Sequence, residues 1–188
     1  MRTNLEFSLN GGKTIVMTSS MSGEGKSYVA LNLAVSLALL DKKVLIMELD
    51  LRKPSVTSKL GLETQKGFSQ YVVRPELQIA EIIVRSGVHD FVDVIQAGAI
   101  PPNPAELLSS KKFDAFIEQI KEHYDYIVID TPPVNAVADA LSVVASVKNV
   151  VFICRCGISI TSEVKKAISA LEFAHAKILG FVTIDAQG

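Results

Sequence analysis

Tryptophan is absent from this chain of 188 residues, and cysteine occurs only twice. Two cysteines cannot build a disulfide framework. Cys154 and Cys156 also stand in an apolar run, where a C-x-C on one strand turns both thiols to the same sheet face, a poor geometry for a bond. A reducing, cytosolic setting follows from this usage. An excess of either charge is missing as well: 19 basic and 20 acidic residues leave a net charge of -1. No Lys or Arg cluster exceeds two neighbours, so broad electrostatic capture of nucleic acid is excluded. Long apolar runs are lacking too. The longest, Val29 to Leu40, is broken by Asn32 and Ser36, whereas a spanning helix needs about 20 apolar residues. The opening residues do not read as a leader. The histidines His89, His123 and His175 are scattered, without metal-ligand spacing.

What the chain does have is apolar residues, 48% of the total, with a mean hydropathy of +0.32. Its length suits one domain over 1–188 that buries roughly 70% of its unfolded surface without staples. Short β-branched runs at Thr14–Ser19, Val44–Glu48, Phe91–Gln96, Tyr126–Asp130, Val150–Cys154 and Ile178–Ile184 read as strands. Several are continuously apolar, as strands covered on both faces must be. Between them Lys26–Leu40, Pro104–His123, Ala136–Val147 and Ser159–His175 read as helices. Asn103, Pro104 and Glu106 give one of these starts a cap signature. The Pro54–Val88 stretch is the least regular, with one helix expected over Glu76–Arg85. Alternating strands and helices imply right-handed βαβ units and an open, mostly parallel sheet with helices on both faces.

Three segments carry chemistry. The first strand runs into Ser19-Ser20-Met21-Ser22-Gly23-Glu24-Gly25-Lys26-Ser27 and then directly into a helix. Glycines let successive backbone N–H groups surround phosphate oxygens, and the helix N-terminus adds its dipole. Lysine reaches the β- and γ-phosphates, and the next hydroxyl ligates Mg2+. The strict phosphate-loop pattern is not met, since Ser20 fills the first glycine position. The strand Val44–Glu48 releases two carboxylates, Glu48 and Asp50, which share one side of an extended chain. The strand Tyr126–Asp130 releases one, placed as a Walker B acid near the metal. All three lie where ligands bind in such sheets, at the strands' carboxyl ends. The expected fold is therefore α/β, a three-layer P-loop NTPase fold.

The Gly23–Ser27, Glu48–Pro54 and Ile129–Pro133 stretches resemble the Walker A, A′ and B motifs of bacterial protein-tyrosine kinases. These are the CpsD/CapB/Wzc type that accompanies capsule and exopolysaccharide synthesis, within the MinD/ParA-like P-loop ATPases. Pro101-Pro102-Asn103-Pro104-Ala105-Glu106-Leu107-Leu108 and the opening Arg2-Thr3-Asn4 strengthen the likeness, which spans nearly the whole chain. Met21 stands where MinD/ParA-type ATPases carry a lysine that reaches across a dimer. The resemblance implies ATP and Mg2+ as cofactors. Ser22, Gly23, Glu24, Gly25, Lys26, Ser27 and Tyr28 would surround the nucleotide, and Ser27, Asp50 and Asp130 would hold the metal. Lys26, Glu48, Asp50 and Arg52 would serve catalysis. The family's first A′ acid is an Asp, proposed to take the tyrosine proton. Glu48 is one methylene longer, and a displacement of about 1 Å costs about 100-fold in rate.

Ile184 stands where the family carries an adenine-contacting Asn, so base recognition has no assigned residue. The resemblance also implies a membrane-spanning adaptor of the polysaccharide co-polymerase type, tyrosines of a protein partner or of a C-terminal tail as substrate, and homo-oligomers. It implies a place at the inner face of the cell membrane. Arg2 would be the last arginine of the family's ring-forming helix, and no tyrosine cluster follows Asp185. A P-loop ATPase switch and a catalytically weak nucleotide-binding assembly module remain alternatives at this point.

Overall fold

In a computed structural model, described for residues 5, 8–63 and 66–186, seven strands form one sheet. The strands are β1 (Thr14–Ser19), β2 (Val44–Glu48), β3 (Ile83–Arg85), β4 (Val92–Ile95), β5 (Tyr126–Asp130), β6 (Asn149–Arg155) and β7 (Lys177–Ile184). Their spatial order is β3-β4-β2-β5-β1-β6-β7. Every pairing is parallel except β3 with β4 at one edge. The helices are α1 (Lys26–Ala38), α2 (Val56–Lys59), α3 (Phe68–Val73), α4 (Pro104–Leu108), α5 (Lys111–Ile120), α6 (Asp139–Val147) and α7 (Thr161–Phe173). Arg2, Thr3 and Asn4 lie outside the described residues.

Alternate strand side chains feed two apolar layers. Ile15, Met17, Ile46 and Val128 pack with Val29, Leu33 and Leu37 of α1. Val16, Leu45, Met47, Ile127 and Ile129 pack on the other face with Phe113 and Phe116 of α5, Val143 and Val144 of α6, and Leu171 of α7. Two-sided burial is the source of the positive hydropathy, and each such side chain contributes about 1.5–3 kcal/mol.

Two expectations need correction. Glu76–Arg85 is not a helix: a 3-10 turn over Ile79–Ile82 leads into β3. The β-branched Ile83 and Val84 pair with Ile95 and Val94 and extend the sheet, as branched side chains favour. Pro104–His123 is two helices rather than one. Ser110 has extended backbone, and its hydroxyl accepts from the Phe113 N–H at 3.2 Å, so it caps a new helix. Asn103 precedes Pro104 as expected, but its amide bonds the Glu106 carboxylate at 3.0 Å instead of the helix backbone. Cys154 is half-buried in β6, and Cys156 lies exposed beyond it; both are free.

Candidate active site

The loop from Ser20 to Gly25 leaves the end of β1 and delivers Lys26 to the start of α1. Gly23 and Gly25 have φ of 88° and 87°, a left-handed backbone that a side chain disfavours. Gly25 has a second constraint: a Cβ there would lie 2.5 Å from Cδ1 of Ile184. Glu24 explains the odd Ser20. The Ser20 hydroxyl donates to the Glu24 carboxylate at 2.8 Å, and the Met21 N–H donates to it at 2.6 Å. The Ser159 hydroxyl donates to the same carboxylate. Burial pushes the Glu24 carboxyl up, but the bonds from Ser159, Met21 and Ser20 outweigh it and hold the group below its usual range. Glu24 thus ties the loop shut with its side chain inward, away from the cleft.

That cleft, about 250 Å3, is lined by Ser22, Gly23, Gly25, Lys26, Ser27 and Tyr28 from the loop and helix, and by Asp50, Lys53, Ser55 and Lys59 from beyond β2. Lys26 is only 8% exposed. Burial pulls its ammonium below the ordinary lysine value, Asp130, Asp50 and Glu24 restrain the fall, and Lys59 adds to it.

Asp130 arrives at the end of β5, in register with Met17 of β1 and Glu48 of β2. The Thr131 hydroxyl donates to the Met17 carbonyl at 3.0 Å and the Thr18 hydroxyl to the Pro132 carbonyl at 3.0 Å, locking the two strand ends together. The Ser27 hydroxyl donates to Asp130 Oδ2 at 2.5 Å and accepts from Ser55 at 2.8 Å. The other oxygen, Asp130 Oδ1, is buried and has no hydrogen-bond partner. Burial is the chief cause that pushes the Asp130 carboxyl up to about 7, with Asp50 and Glu48 adding to it and Ser27 and Lys26 opposing. An orphan carboxylate oxygen beside a serine hydroxyl and a second carboxylate suits a small, hard, oxygen-seeking cation. The residues present therefore fit Mg2+.

Glu48 does not join this group. Its carboxylate accepts from the Val56 N–H at 2.5 Å and from the Thr57 hydroxyl at 2.5 Å, so it caps α2 from below. It is fully buried and lines a separate small cavity with Pro54, Thr57 and Leu62. Asp50, two residues on, does face the cleft, and its Oδ1 accepts from the Lys53 N–H at 3.0 Å. The pairing of Glu48 and Asp50 on one side is broken because the strand ends at Glu48. Arg52 turns from the cleft to Asp139 at the start of α6, with Nε to Oδ2 at 2.8 Å and Nη2 to Oδ1 at 3.2 Å. This bond holds the guanidinium more firmly protonated than usual.

On the loop's far side, Arg155 donates to the Gly23 carbonyl at 3.1 Å and pairs with Asp185 at 2.7 Å. Sequence reasoning misses Ser159, Ser55, Asp139 and Arg155. Each acts across a long stretch of chain, and none belongs to a local motif. Only Ser55, three residues past Arg52 and just before α2, carries a signal, that of a helix N-cap.

A phosphate loop at the mouth of a parallel sheet, with a buried lysine and a metal-ready carboxylate, defines an α/β P-loop nucleotide-binding protein. The AAA domain family matches residues 12–177, and the tyrosine-protein kinase YwqD of Bacillus subtilis (strain 168) is 38% identical over 184 residues, 97% of this chain and 77% of the relative. The chain belongs to the AAA domain family and, within it, to the bacterial tyrosine-protein kinases. The tyrosine-protein kinase CpsD of Streptococcus agalactiae is 34% identical over 183 residues, 97% of this chain and 79% of the relative. Among solved structures, the kinase domain of the Escherichia coli tyrosine kinase ETK superposes with a TM-score of 0.93 at 31% identity, covering 100% of this chain and 73% of that one. The septum site-determining protein MinD of Pyrococcus horikoshii, complexed with Mg-ADP, gives a TM-score of 0.75 at 25% identity, covering 91% and 69%. Of these two structures the ETK kinase domain is the nearer in both measures.

Proposed function

We propose that residues 1–188 act as one unit that transfers the γ-phosphoryl group of Mg-ATP to tyrosine hydroxyls. The observation that carries this reading is the unpartnered Asp130 Oδ1 beside the Ser27 hydroxyl and below the buried Lys26, in a chain related to tyrosine kinases over nearly its whole length. Loop N–H groups and the start of α1 receive the phosphates. The Lys26 ammonium counters charge on the transferring group, where water is largely excluded and a charge acts strongly. Ser27, Asp130 and Asp50 would hold Mg2+, which when bound neutralises phosphate charge. Asp50 is the carboxylate open to the cleft, so in this proposal it, rather than Glu48, meets the incoming tyrosine hydroxyl. Glu48 supports α2 and thereby the Ser55 and Lys59 side of the cleft. Arg52 fixes the Asp50 turn through Asp139.

The wider setting is proposed from the resemblance: control of capsular or exopolysaccharide synthesis and export, an activating segment from a membrane-spanning adaptor, and assembly into homo-oligomers. Among the described residues no helix is long and apolar enough to cross a membrane. Attachment at the inner membrane face through the adaptor is part of the same proposal. Met21, at the position of the switch ATPases' cross-dimer lysine, favours the kinase over the ATPase switch. The test is phosphotyrosine formation on a tyrosine-rich peptide with Mg-ATP, with and without an adaptor segment. Lys26→Met is expected to abolish transfer and weaken ATP binding. Phosphate release without phosphotyrosine would favour the switch instead.

A further inference from the structure

Of the chain's 4 tyrosines, three are committed elsewhere. Tyr124 is buried, and its hydroxyl donates to Asp93 at 2.8 Å. Tyr71 packs at a tilt against Phe116 and sits beneath the Lys112 ammonium. Tyr126 is half-buried in β5 against the α1 layer. Tyr28 differs on every count. It is 61% exposed, and its hydroxyl has no hydrogen-bond partner among the described residues. It also lines the same cleft as Lys26, Ser27 and Asp50, opposite Lys53 and Lys59.

We propose that Tyr28 is itself a phosphoryl acceptor, served by a second copy of the chain, and that its modification closes its own nucleotide cleft. The proposal rests on the kinase reading above. In the step, Tyr28 Oη attacks the γ-phosphorus of ATP held by the second copy. The Oη–P bond forms and the bond to the β,γ-bridging oxygen breaks. ADP leaves with that electron pair, and the phenolic proton passes to a cleft carboxylate of the second copy and on to solvent. In-line transfer requires the attacking oxygen on the far side of phosphorus from the leaving oxygen. Tyr28 is rooted on the same helix turn as Ser27, which cradles the leaving end, so its own ATP is out of line for it. A tyrosine on the rim of one cleft does reach an identical cleft that meets it face to face, as two-fold encounters allow.

The consequence is electrostatic. Phosphotyrosine adds about -1.5 to -2 charges and three acceptor oxygens at neutral pH. At this rim they engage Lys53 and Lys59, two of the three ammonium groups that line the cleft, and they repel the phosphates of an arriving nucleotide. ATP affinity is expected to fall by about tenfold. The kinase thus limits itself as its local concentration rises.

The test mixes the wild-type chain with an isotope-labelled Lys26→Met chain, adds Mg-ATP and a tyrosine-rich control peptide, and reads phosphorylation by peptide mass spectrometry. The thermal melt of the Lys26→Met chain checks that it is folded. Phosphate on Tyr28 of the labelled chain, lost when that chain also carries Tyr28→Phe, is the expected result. Wild-type protein modified at Tyr28 should bind ATP about tenfold less tightly than unmodified protein. A phosphorylated control peptide with an unmodified Tyr28 overturns the proposal and leaves the kinase reading standing. Modification confined to the active copy, or undiminished ATP affinity after modification, also overturns it. With the adaptor segment supplied, failure to phosphorylate either the peptide or Tyr28 removes the kinase reading and the proposal together.

Discussion

Replacing Asp130 with Asn should change how the stability of the nucleotide-free protein depends on pH. In the folded chain the Asp130 carboxyl titrates at about 7, against 3.8 for the free group, chiefly because it is buried at the end of β5. A folded value above the unfolded one means that the folded state holds the extra proton. The stability this group contributes is fully present below the unfolded value and is lost as pH rises towards the folded one. The slope between the two values is about 1.36 kcal/mol per unit, so raising pH from about 5.5 to about 8.5 removes about 2 kcal/mol, most of it below pH 7. The Asp130→Asn chain carries no titrating group at this position and should show none of this component. Urea unfolding of both proteins at the two pH values, free of metal and nucleotide, measures the difference of differences. The variant should gain about 2 kcal/mol on the wild type across the interval. Mg-ATP should shrink the wild-type loss, because a bound cation stabilises the ionised carboxylate. Parallel pH dependences in the two proteins would refute the claim that burial raises the Asp130 carboxyl to about 7.

Three further substitutions probe the frame around the site. Gly25→Ala meets both a left-handed backbone and the Ile184 side chain at 2.5 Å, so it should cost about 1–2 kcal/mol from the backbone alone. Its Mg-ATP affinity in equilibrium dialysis should fall, with partial recovery on adding Ile184→Ala. Arg52→Ala strands the Asp139 carboxylate, whose side chain is only 1% exposed. A melting experiment should show a loss of about 1–3 kcal/mol, and Arg52→Lys should not restore the two-point bond. Glu48→Gln turns an amide donor towards the Val56 and Thr57 donors, so it should lose about 1–3 kcal/mol of stability while ATP affinity holds. Slowed transfer with an unchanged melting temperature would instead return Glu48 to the role of proton acceptor.

The inner strands were legible because two-sided burial demands unbroken apolar, branched residues. Thr14–Ser19, Val44–Glu48 and Tyr126–Asp130 have the bounds their residues suggest. The edge at β7 was legible as well, but the edge at β3 was not. Ile83–Arg85 is too short for a period and becomes a strand only because β4 offers an unpaired side. The Ser109-Ser110 break is hidden because serine is neutral inside a helix until its hydroxyl finds a backbone partner. The phosphate loop, Lys26, Ser27, Asp50 and Asp130 could be read from local spacing. The turn of Glu48 towards α2 and of Arg52 towards Asp139 could not, since both depend on how the chain folds back after β2. Glu24 inside the loop is the same kind of case: its partner Ser159 is 135 residues away.

The strand order has a mechanical consequence. The phosphate loop springs from β1, which is hydrogen-bonded on one side to the strand that ends in Asp130 and on the other to the strand that leads to Arg155 and Ser159. The loop and the Asp130 carboxylate thus share one hydrogen-bonded ladder, whereas the Lys53, Ser55 and Lys59 side of the cleft lies beyond β2 and outside it. In a site built this way, a shift of the segment beyond β2 changes the width of the cleft mouth and leaves the loop and the Asp130 carboxylate where the ladder holds them.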